Sequence, residues 1–163
     1  MIIRLNEGHI DAMLALQKQC LENADIFLPT SRSGYLRAFQ FQTFCWGYME
    51  EGALIAFLNC SIPTACARGN LGRGRLPAPE LNRVGHMNTL LVQRGCRHHG
   101  LGHRLVDAAL EEFLRRDCPH IFVTASPENA VSLKLLHTLD FSRIDVVEMR
   151  GERRHLLYRN IGR

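Results

Sequence analysis

The strongest constraint on the fold of this chain lies between residues 83 and 116, where three kinds of sequence follow one another directly. The apolar segment RVGHMNTLLV (83–92) is long enough for a strand. The turn QRGCRHHGLGHRL (93–105) comes next, with three glycines, three arginines and three histidines. A stripe of apolar residues at helical spacing then extends from Gly100 to about Arg116. The stripe consists of Leu101, Leu105, Ala109 and Phe113. This order predicts a strand that leads through a tight turn into an amphipathic helix.

The turn has the chemistry of an anion site. Backbone N–H groups in the first turn of a helix have no intrahelical partner, and the helix dipole favours an anion beside them. Gly100 and Gly102 would let a phosphate approach the backbone, since glycine carries no Cβ. No acidic residue lies between Val84 and Val106. A dinucleotide fingerprint is excluded because Leu105 replaces its third glycine, and a Walker-type loop is excluded because the chain has no Gly-Lys-Ser/Thr triplet.

The remaining segments predict an α/β fold with a single mixed sheet. The first of them are a strand at 2–5, helices at 9–22 and 30–39, a hairpin around Glu50-Glu51-Gly52 and a long loop at 63–82. The strand and helix described above follow. The last segments are a buried strand at 120–125, a helix capped by Ser126 with Pro127 at its first position, and a closing hairpin around Gly151-Glu152. This order gives about seven strands, mostly antiparallel, flanked by about four helices. No repeat or linker interrupts the chain, so we expect a single domain over residues 1–163.

The composition indicates a globular protein and argues against a membrane, secreted or nucleic-acid-binding protein. The 163 residues are 46% hydrophobic and 22% charged, as in ordinary globular domains, and no apolar run approaches the ~20 residues of a membrane span. Six cysteines without CxxC spacing, and an N-terminus without the order of a signal peptide, predict a cytoplasmic protein with reduced thiols and no membrane contact. The net charge of +4 suits an anionic ligand but is too small to indicate nucleic-acid binding.

Two segments resemble motifs of the GCN5-related N-acetyltransferase (GNAT) superfamily. Arg97, Gly100 and Gly102 lie five, eight and ten residues after Val92, in the register of the motif Arg/Gln-x-x-Gly-x-Gly/Ala that follows a strand. NAVSLKLLHTLDF (129–141) is similar to the Asn-led helix of these proteins, which ends in Leu-Gly-Phe. The resemblance implies the acyl-CoA N-acyltransferase fold. It also implies transfer of an acetyl group from acetyl-CoA to an amine in a ternary complex, with no covalent enzyme intermediate and no metal.

The resemblance also implies which residues hold acetyl-CoA. The backbone at the end of the strand would bind the pantetheine arm, the amides of the turn would bind the pyrophosphate, and Asn129 would contact the pantetheine from the second helix. The residues concerned are Leu90, Leu91, Val92, Arg97, His98, His99, Gly100, Leu101, Gly102, His103 and Asn129. A plain tight turn is the alternative for the glycines, and a polar residue that begins a helix is the alternative for Asn129.

Amine acetylation needs an uncharged amine, and a base is useful because a lysine-like amine has a pKa of ~10.4. His86 is the candidate catalytic base. It stands six residues before Val92, on the strand face shared with Asn88 and Leu90, where histone-type members of the superfamily carry a glutamate. A histidine that makes a structural hydrogen bond on the strand is the alternative. A backbone N–H near Val92 would polarise the thioester carbonyl.

Three positions depart from the superfamily pattern. Many members carry a tyrosine seven residues after the asparagine, where it protonates the leaving thiolate, but this chain has Leu136. Asp140 replaces the glycine of Leu-Gly-Phe, at a helix end where glycine favours a left-handed conformation. Arg94 replaces the proline that usually follows the valine. Because leucine cannot donate a proton, a non-catalytic acyl-CoA-binding sensor or regulatory module is the alternative to an enzyme.

The acceptor and the assembly stay open at this stage. The acceptor is a primary amine of a small molecule or a protein, and a homodimer is compatible with the sequence. The segment RGNLGRGR (68–75) in the long loop closes over an acidic substrate, binds nucleic acid, or is a solvated and partly disordered loop. Composition favours the last of these and argues against nucleic acid as a partner.

Overall fold

The computed structural model describes residues 1–22, 25–41 and 43–162. The strands are β1 Ile2–Arg4, β2 Thr43–Glu50, β3 Ala53–Ser61, β4 Val84–Val92, β5 His120–Ala125, β6 Ser142–Met149 and β7 Glu152–Asn160. The helices are α1 Ile10–Glu22, α2 Arg32–Gln40, α3 Leu101–Arg115 and α4 Ala130–Thr138. The predicted number, type and order of the elements are therefore confirmed.

The seven strands form one mixed sheet in the order β1-β2-β3-β4-β5-β7-β6. β4 and β5 pair in parallel, from Val84 opposite His120 to Met87 opposite Val123. The pairs β1–β2, β2–β3, β5–β7 and β6–β7 are antiparallel. This is the mixed, mostly antiparallel sheet with four helices that the sequence predicts.

Two compact units divide the chain, one of residues 1–61 and 89–109 and the other of residues 62–88 and 110–163. β4 and α3 each supply residues to both units. A single domain over residues 1–163 stays a prediction. None of the described helices has the length and apolar character that crossing a membrane requires.

The first unit has a core in which α1 packs against the strands through its apolar stripe. The buried residues of this cluster are Leu5, Ile10, Met13, Leu16, Cys20, Tyr35, Cys45, Leu54, Phe57 and Leu91. Buried Gln17 joins the two helices, because its Oε1 accepts a hydrogen bond of 2.8 Å from the Tyr35 hydroxyl and its Nε2 donates to the Thr30 carbonyl at 2.8 Å. Ser31 caps α2 by accepting from the Gly34 amide at 3.1 Å, as one of the two predicted caps.

The second unit has a core on each face of the β4–β5 pair. On one face, Val84, Phe122 and Leu156 form a buried cluster. On the other face, α3 lies so close to β4 that a Cβ added to Gly85 would come within 2.4 Å of the Phe113 ring. Phe113 is fully buried. Glycine at position 85 is therefore what allows α3 to pack at this distance.

The start of α4 corrects one sequence prediction. Asn129, not Ser126, caps the helix, and its side chain accepts from the Ser132 amide at 3.1 Å. Ser126 instead closes a turn before the helix, since its carbonyl accepts from the Asn129 amide at 3.0 Å. Pro127 lies in this turn and not at the first helical position.

The end of α4 follows the expected left-handed pattern. Asp140 has φ +62°, and the amides of Phe141 and Asp140 donate to the carbonyls of Leu136 and His137, each at 3.0 Å. These two bonds form a Schellman motif, which caps the last carbonyls of the helix. Aspartate is thus accommodated in the position that glycine occupies in the superfamily.

The loop that precedes β4 is more ordered than a solvated segment. Asn70 is 3% exposed, and its Nδ2 donates to the carbonyls of Thr64 at 3.1 Å and Leu81 at 2.9 Å. Leu71 and Leu76 pack against the Val84 cluster. The prediction of a solvated, partly disordered loop is therefore wrong for these residues, because one buried side chain ties both arms of the loop together.

Candidate functional site

The turn between β4 and α3 places an open helix N-terminus directly after the strand. The Gln93 amide donates to the Ile55 carbonyl at 2.8 Å, which fixes the start of the turn. His98 and Gly100 adopt left-handed conformations, with φ of +65° and +77°. The first hydrogen bond within α3 is donated by Arg104 to Gly100 at 3.1 Å. The amides of Leu101, Gly102 and His103 precede that bond, as the N–H groups of any first helical turn do.

A non-glycine residue with positive φ is uncommon and strained, and strain of this kind concentrates at binding sites. Left-handed residues interspersed in a turn also bring successive amides to one side, an arrangement that binds anions. An ideal Cβ on Gly100 would meet no atom within 4 Å. The turn can therefore accept a phosphate group against its backbone, so the residues present fit the pyrophosphate of CoA.

The Arg97 side chain is fixed by hydrogen bonds within the protein, and an acidic side chain compensates its charge. Its guanidinium forms an ion pair with Asp25, one contact of which is 3.0 Å, and its Nε donates to the Val92 carbonyl at 3.0 Å. The hydrogen bond to Asp25 raises the pKa of Arg97 above its ordinary value. Arg97 thus ties the turn to the end of β4. Sequence reasoning missed Asp25, since nothing local relates two residues 72 positions apart.

The other basic side chains of the turn differ in their surroundings. The Arg104 guanidinium lies 5.1 Å from the centre of the Tyr48 ring, in a cation–π contact. His98 and His99 are exposed, in keeping with the expectation that their backbone matters more than their imidazoles. No group of three or more potential metal ligands occurs in the part of the chain that the structure describes.

Leu90, Leu91 and Val92 form the last three residues of β4, directly before the turn. Leu91 is 4% exposed and packs in the first core, whereas Leu90 and Val92 are half-buried. The side chain of Leu91 therefore anchors the strand end. A role for the backbone of these residues toward pantetheine stays a prediction.

His86 is buried and already hydrogen-bonded. It is 8% exposed, and its Nε2 accepts from the Leu71 amide at 3.2 Å. Burial lowers the pKa of His86 to about 4. The ring is therefore neutral at pH 7, with its proton on Nδ1. It could take a proton from an amine only if the bond to Leu71 opened, so both observations favour the structural alternative and the base role stays a prediction.

The buried His86 makes stability depend on pH. Its pKa is lower in the folded chain, about 4, than its ordinary value of 6.5, so the unfolded chain binds the extra proton first. We expect the contribution of His86 to the free energy of unfolding to be fully present above pH 6.5 and to be lost as the pH falls from 6.5 to 4. His86→Gln, whose side-chain oxygen can still accept from Leu71, should lose most of this dependence. Urea unfolding across that range measures it, and an unchanged dependence in the variant would contradict the assignment.

The same variant tests the base role. A base that titrates in catalysis shapes the pH dependence of kcat/KM for the free enzyme. If His86→Gln keeps the wild-type profile and rate, His86 is not the base; a large loss of kcat in a folded variant would support it.

Two residues of α4 complete the sequence-predicted set. Asn129 caps the helix, which matches its alternative interpretation, and a contact with pantetheine stays a prediction. Leu136 is 6% exposed, and its carbonyl belongs to the Schellman motif. Its hydrocarbon side chain has no proton to donate.

A sequence model of the acetyltransferase (GNAT) family matches residues 10–141, which is most of the chain. The chain belongs to this family. The matched range includes β4, the turn, α3 and α4, so the motif register and the family assignment rest on the same residues. A search of curated protein sequences found no match.

Solved structures of GNAT-type enzymes share the fold over nearly the whole chain. An N-acetyltransferase from Staphylococcus aureus is 14% identical, with a TM-score of 0.75 and coverage of 99% of this chain and 98% of that chain. The PaiA N-acetyltransferase of Thermoplasma acidophilum in complex with coenzyme A is 12% identical, with a TM-score of 0.71 and coverage of 98% and 99%. An aminoglycoside N-acetyltransferase in complex with CoA is 22% identical, with a TM-score of 0.66 and coverage of 91% and 96%. At these identities the likeness establishes the fold.

Proposed function

We propose that this protein is an acetyl-CoA-dependent N-acetyltransferase that moves an acetyl group to a primary amine of a small molecule or protein. The observation that carries the proposal is the turn after β4. Its left-handed His98 and Gly100 open the N-terminus of α3 in the register of the family motif. Direct transfer in a ternary complex is the mechanism, and the cytoplasm is the expected location.

The turn and the end of β4 would bind acetyl-CoA through the backbone. The amides from His98 to His103 would hold the pyrophosphate, assisted by the dipole of the 15-residue helix α3. The strand end from Leu90 to Val92 would hold the pantetheine arm, and Asn129 would contact the same arm from α4. Arg97 would act by fixing the turn to Val92, since its charge is compensated by Asp25.

Bound acetyl-CoA supplies a thioester carbonyl that an amine attacks and a thiolate that leaves. A backbone N–H near Val92 would polarise the carbonyl oxygen of the bound thioester. Leu136 would provide no proton donor, so the proton of the leaving thiol would come from another group of the protein, from water or from the acceptor amine. This buried leucine is the observation that favours the second candidate function, a sensor that binds acyl-CoA without turnover.

One pair of measurements tests both candidates. Titration calorimetry with CoA measures binding, and release of free thiol from acetyl-CoA measures turnover with panels of amino acids, polyamines, aminoglycosides and peptides. Amine-dependent thiol release, with the acetylated product found by mass spectrometry, supports the enzyme. CoA binding with no release above the rate without amine supports the sensor. No CoA binding at millimolar concentration contradicts both.

A further inference from the structure

Arg154 on β7 is a buried cation that has no acidic side chain in contact with it in the part of the chain that the structure describes. It is 6% exposed, and it forms no ion pair among the residues that the structure describes. Burial lowers the pKa of Arg154 below its ordinary value, but the guanidinium stays charged at pH 7. An isolated buried charge is costly, so such groups are normally paired. The charge of Glu152, two residues earlier on β7, raises the pKa of Arg154 by less than burial lowers it, and no ion pair joins the two residues. A buried guanidinium without a carboxylate in contact therefore needs an explanation.

The donors of Arg154 are only partly used. Its Nε donates to the Thr124 hydroxyl at 3.0 Å, and its Nη2 donates to the Thr124 carbonyl at 3.2 Å. Its Nη1 is buried and has no hydrogen-bond partner among the residues that the structure describes. A guanidinium carries five N–H donors in one plane, and two of them are on Nη1. Thr124 thus fixes one edge of the group and orients it, while the donors on Nη1 remain for a ligand.

Arg154 lies on the sheet face that the 63–82 loop contacts. Side chains two residues apart on a strand share a face, so Arg154 is on the same side as Leu156. Leu156 belongs to the Val84 cluster, against which Leu71 and Leu76 of the loop pack. Asp145 accepts a hydrogen bond from Arg75 of the loop and pairs with Leu156 in the β6–β7 ladder. The pair of Val147 with Arg154 lies two positions along the same ladder, so it is on the same face.

We propose that Arg154 binds the carboxylate of an amine acceptor, so that the substrates of this enzyme are amino acids or related amines with an acidic group. The proposal rests on the acetyltransferase function proposed above and names the substrate class. A planar fork with unpaired donors matches the two oxygens of a carboxylate. One guanidinium compensates a single negative charge, which favours a carboxylate over a doubly charged phosphate ester.

A ligand would reach Arg154 by movement of the outer end of the loop, where one ion pair joins the loop to β6. The Arg75–Asp145 ion pair, 2.7 Å long, has side chains 29% and 49% exposed. Ion pairs at this exposure contribute little to stability, so this contact opens at small cost. The inner part of the loop stays anchored by Asn70 and by the bond from Leu71 to His86. Opening of the Arg75–Asp145 contact would thus free the outer end of the loop while the inner part holds its place.

The decisive experiment compares acceptor amines that carry a carboxylate, an uncharged amide or a phosphate group. We would measure kcat and KM at saturating acetyl-CoA for free amino acids, for the corresponding amino acid amides, and for a phosphate-bearing amine such as O-phosphoethanolamine. The wild type should prefer carboxylates over amides by roughly 10- to 100-fold in kcat/KM, the range expected for a charged hydrogen bond. Arg154→Met should abolish this preference, mainly through KM. Preference for amides or for the phosphate-bearing amine overturns the carboxylate assignment.

Two variants control for folding and for general charge effects. Arg154→Lys keeps the charge but loses the fork, so it should restore part of the preference. Arg153→Met removes the neighbouring exposed arginine, whose side chain points to the other face, and should leave the preference intact. Far-UV circular dichroism and the unfolding midpoint establish that each variant is folded. An equal loss for amides and carboxylates in Arg154→Met would indicate a structural role and contradict the proposal.

A binding measurement separates failure of this proposal from failure of the proposed function. N-acetyl amino acids and their amides are titrated into the protein with CoA present, without any need for turnover. Binding of the carboxylates to the wild type and not to Arg154→Met supports the anion site even if no amine is acetylated. Turnover of amines without any carboxylate preference leaves the acetyltransferase intact and overturns the role of Arg154.

Discussion

Replacing Gly100 with aspartate is expected to weaken CoA binding by roughly 100-fold, which is about 2.7 kcal/mol. The added carboxylate would extend from the start of α3 into the space where an ideal Cβ meets no protein atom. Near a protein surface, two like charges about 4 Å apart repel by about 4 kcal/mol. Titration calorimetry with CoA measures the change directly.

Gly151→Asp is the matched control for this substitution. Gly151, in the turn of the β6–β7 hairpin, has the same φ of +77° and the same open space around an added Cβ. Both variants should therefore lose about 1 kcal/mol of stability, the cost of a left-handed residue with a side chain. Only Gly100→Asp should bind CoA more weakly than the wild type. Equal CoA affinities in the two variants would exclude the turn as the phosphate site.

Gly85→Ala is expected to destabilise the protein by about 3 kcal/mol, or roughly 10 °C in Tm. The new methyl group would lie 2.4 Å from a ring carbon of Phe113, and the ring is fully buried, so it has no room to withdraw. Either α3 must shift away from β4 or the ring must leave its rotamer. Thermal and urea unfolding measure the loss.

Two further variants make this test specific. Gly95→Ala, at an exposed glycine where an added Cβ meets nothing within 4 Å, should change stability little. Phe113→Leu, combined with Gly85→Ala, should recover part of the loss, because the smaller side chain vacates the contact. A Gly85→Ala protein as stable as the wild type would mean that α3 and β4 are farther apart than described.

The parts of the fold that local sequence patterns determine were predicted correctly. The apolar stripe of α3 is buried at all four of its positions, Leu101, Leu105, Ala109 and Phe113. The hairpin at Glu51-Gly52 was also predicted, because glycine at a positive φ marks such turns. The second hairpin turns at Arg150-Gly151, one residue earlier than predicted. Periodicity and turn residues act over a few positions, so they identify elements well and their ends less well.

The sequence patterns could not predict contacts between segments that are far apart in the chain. The start of α4 was misplaced because Ser126-Pro127 carries a strong helix-start signal that a preceding turn overrides. The motif register located the turn at Arg97 to Gly102, but the partner of Arg97 is Asp25, far away in the chain. His86 was chosen as a base from its strand position, whereas its burial and its bond to Leu71 depend on how the loop folds back. Arg154 gave no signal at all, since its unpaired nitrogen is a property of the folded sheet.

Backbone NMR during a titration with CoA tests the central claim most directly, because the proposed contacts are made by amides. The largest ¹H–¹⁵N shifts should appear at His98, Leu101, Gly102 and His103. Pantetheine, which lacks the pyrophosphate, should leave these four amides nearly unmoved while it perturbs the end of β4. Saturable CoA binding that leaves the amides of the turn unshifted would contradict the account.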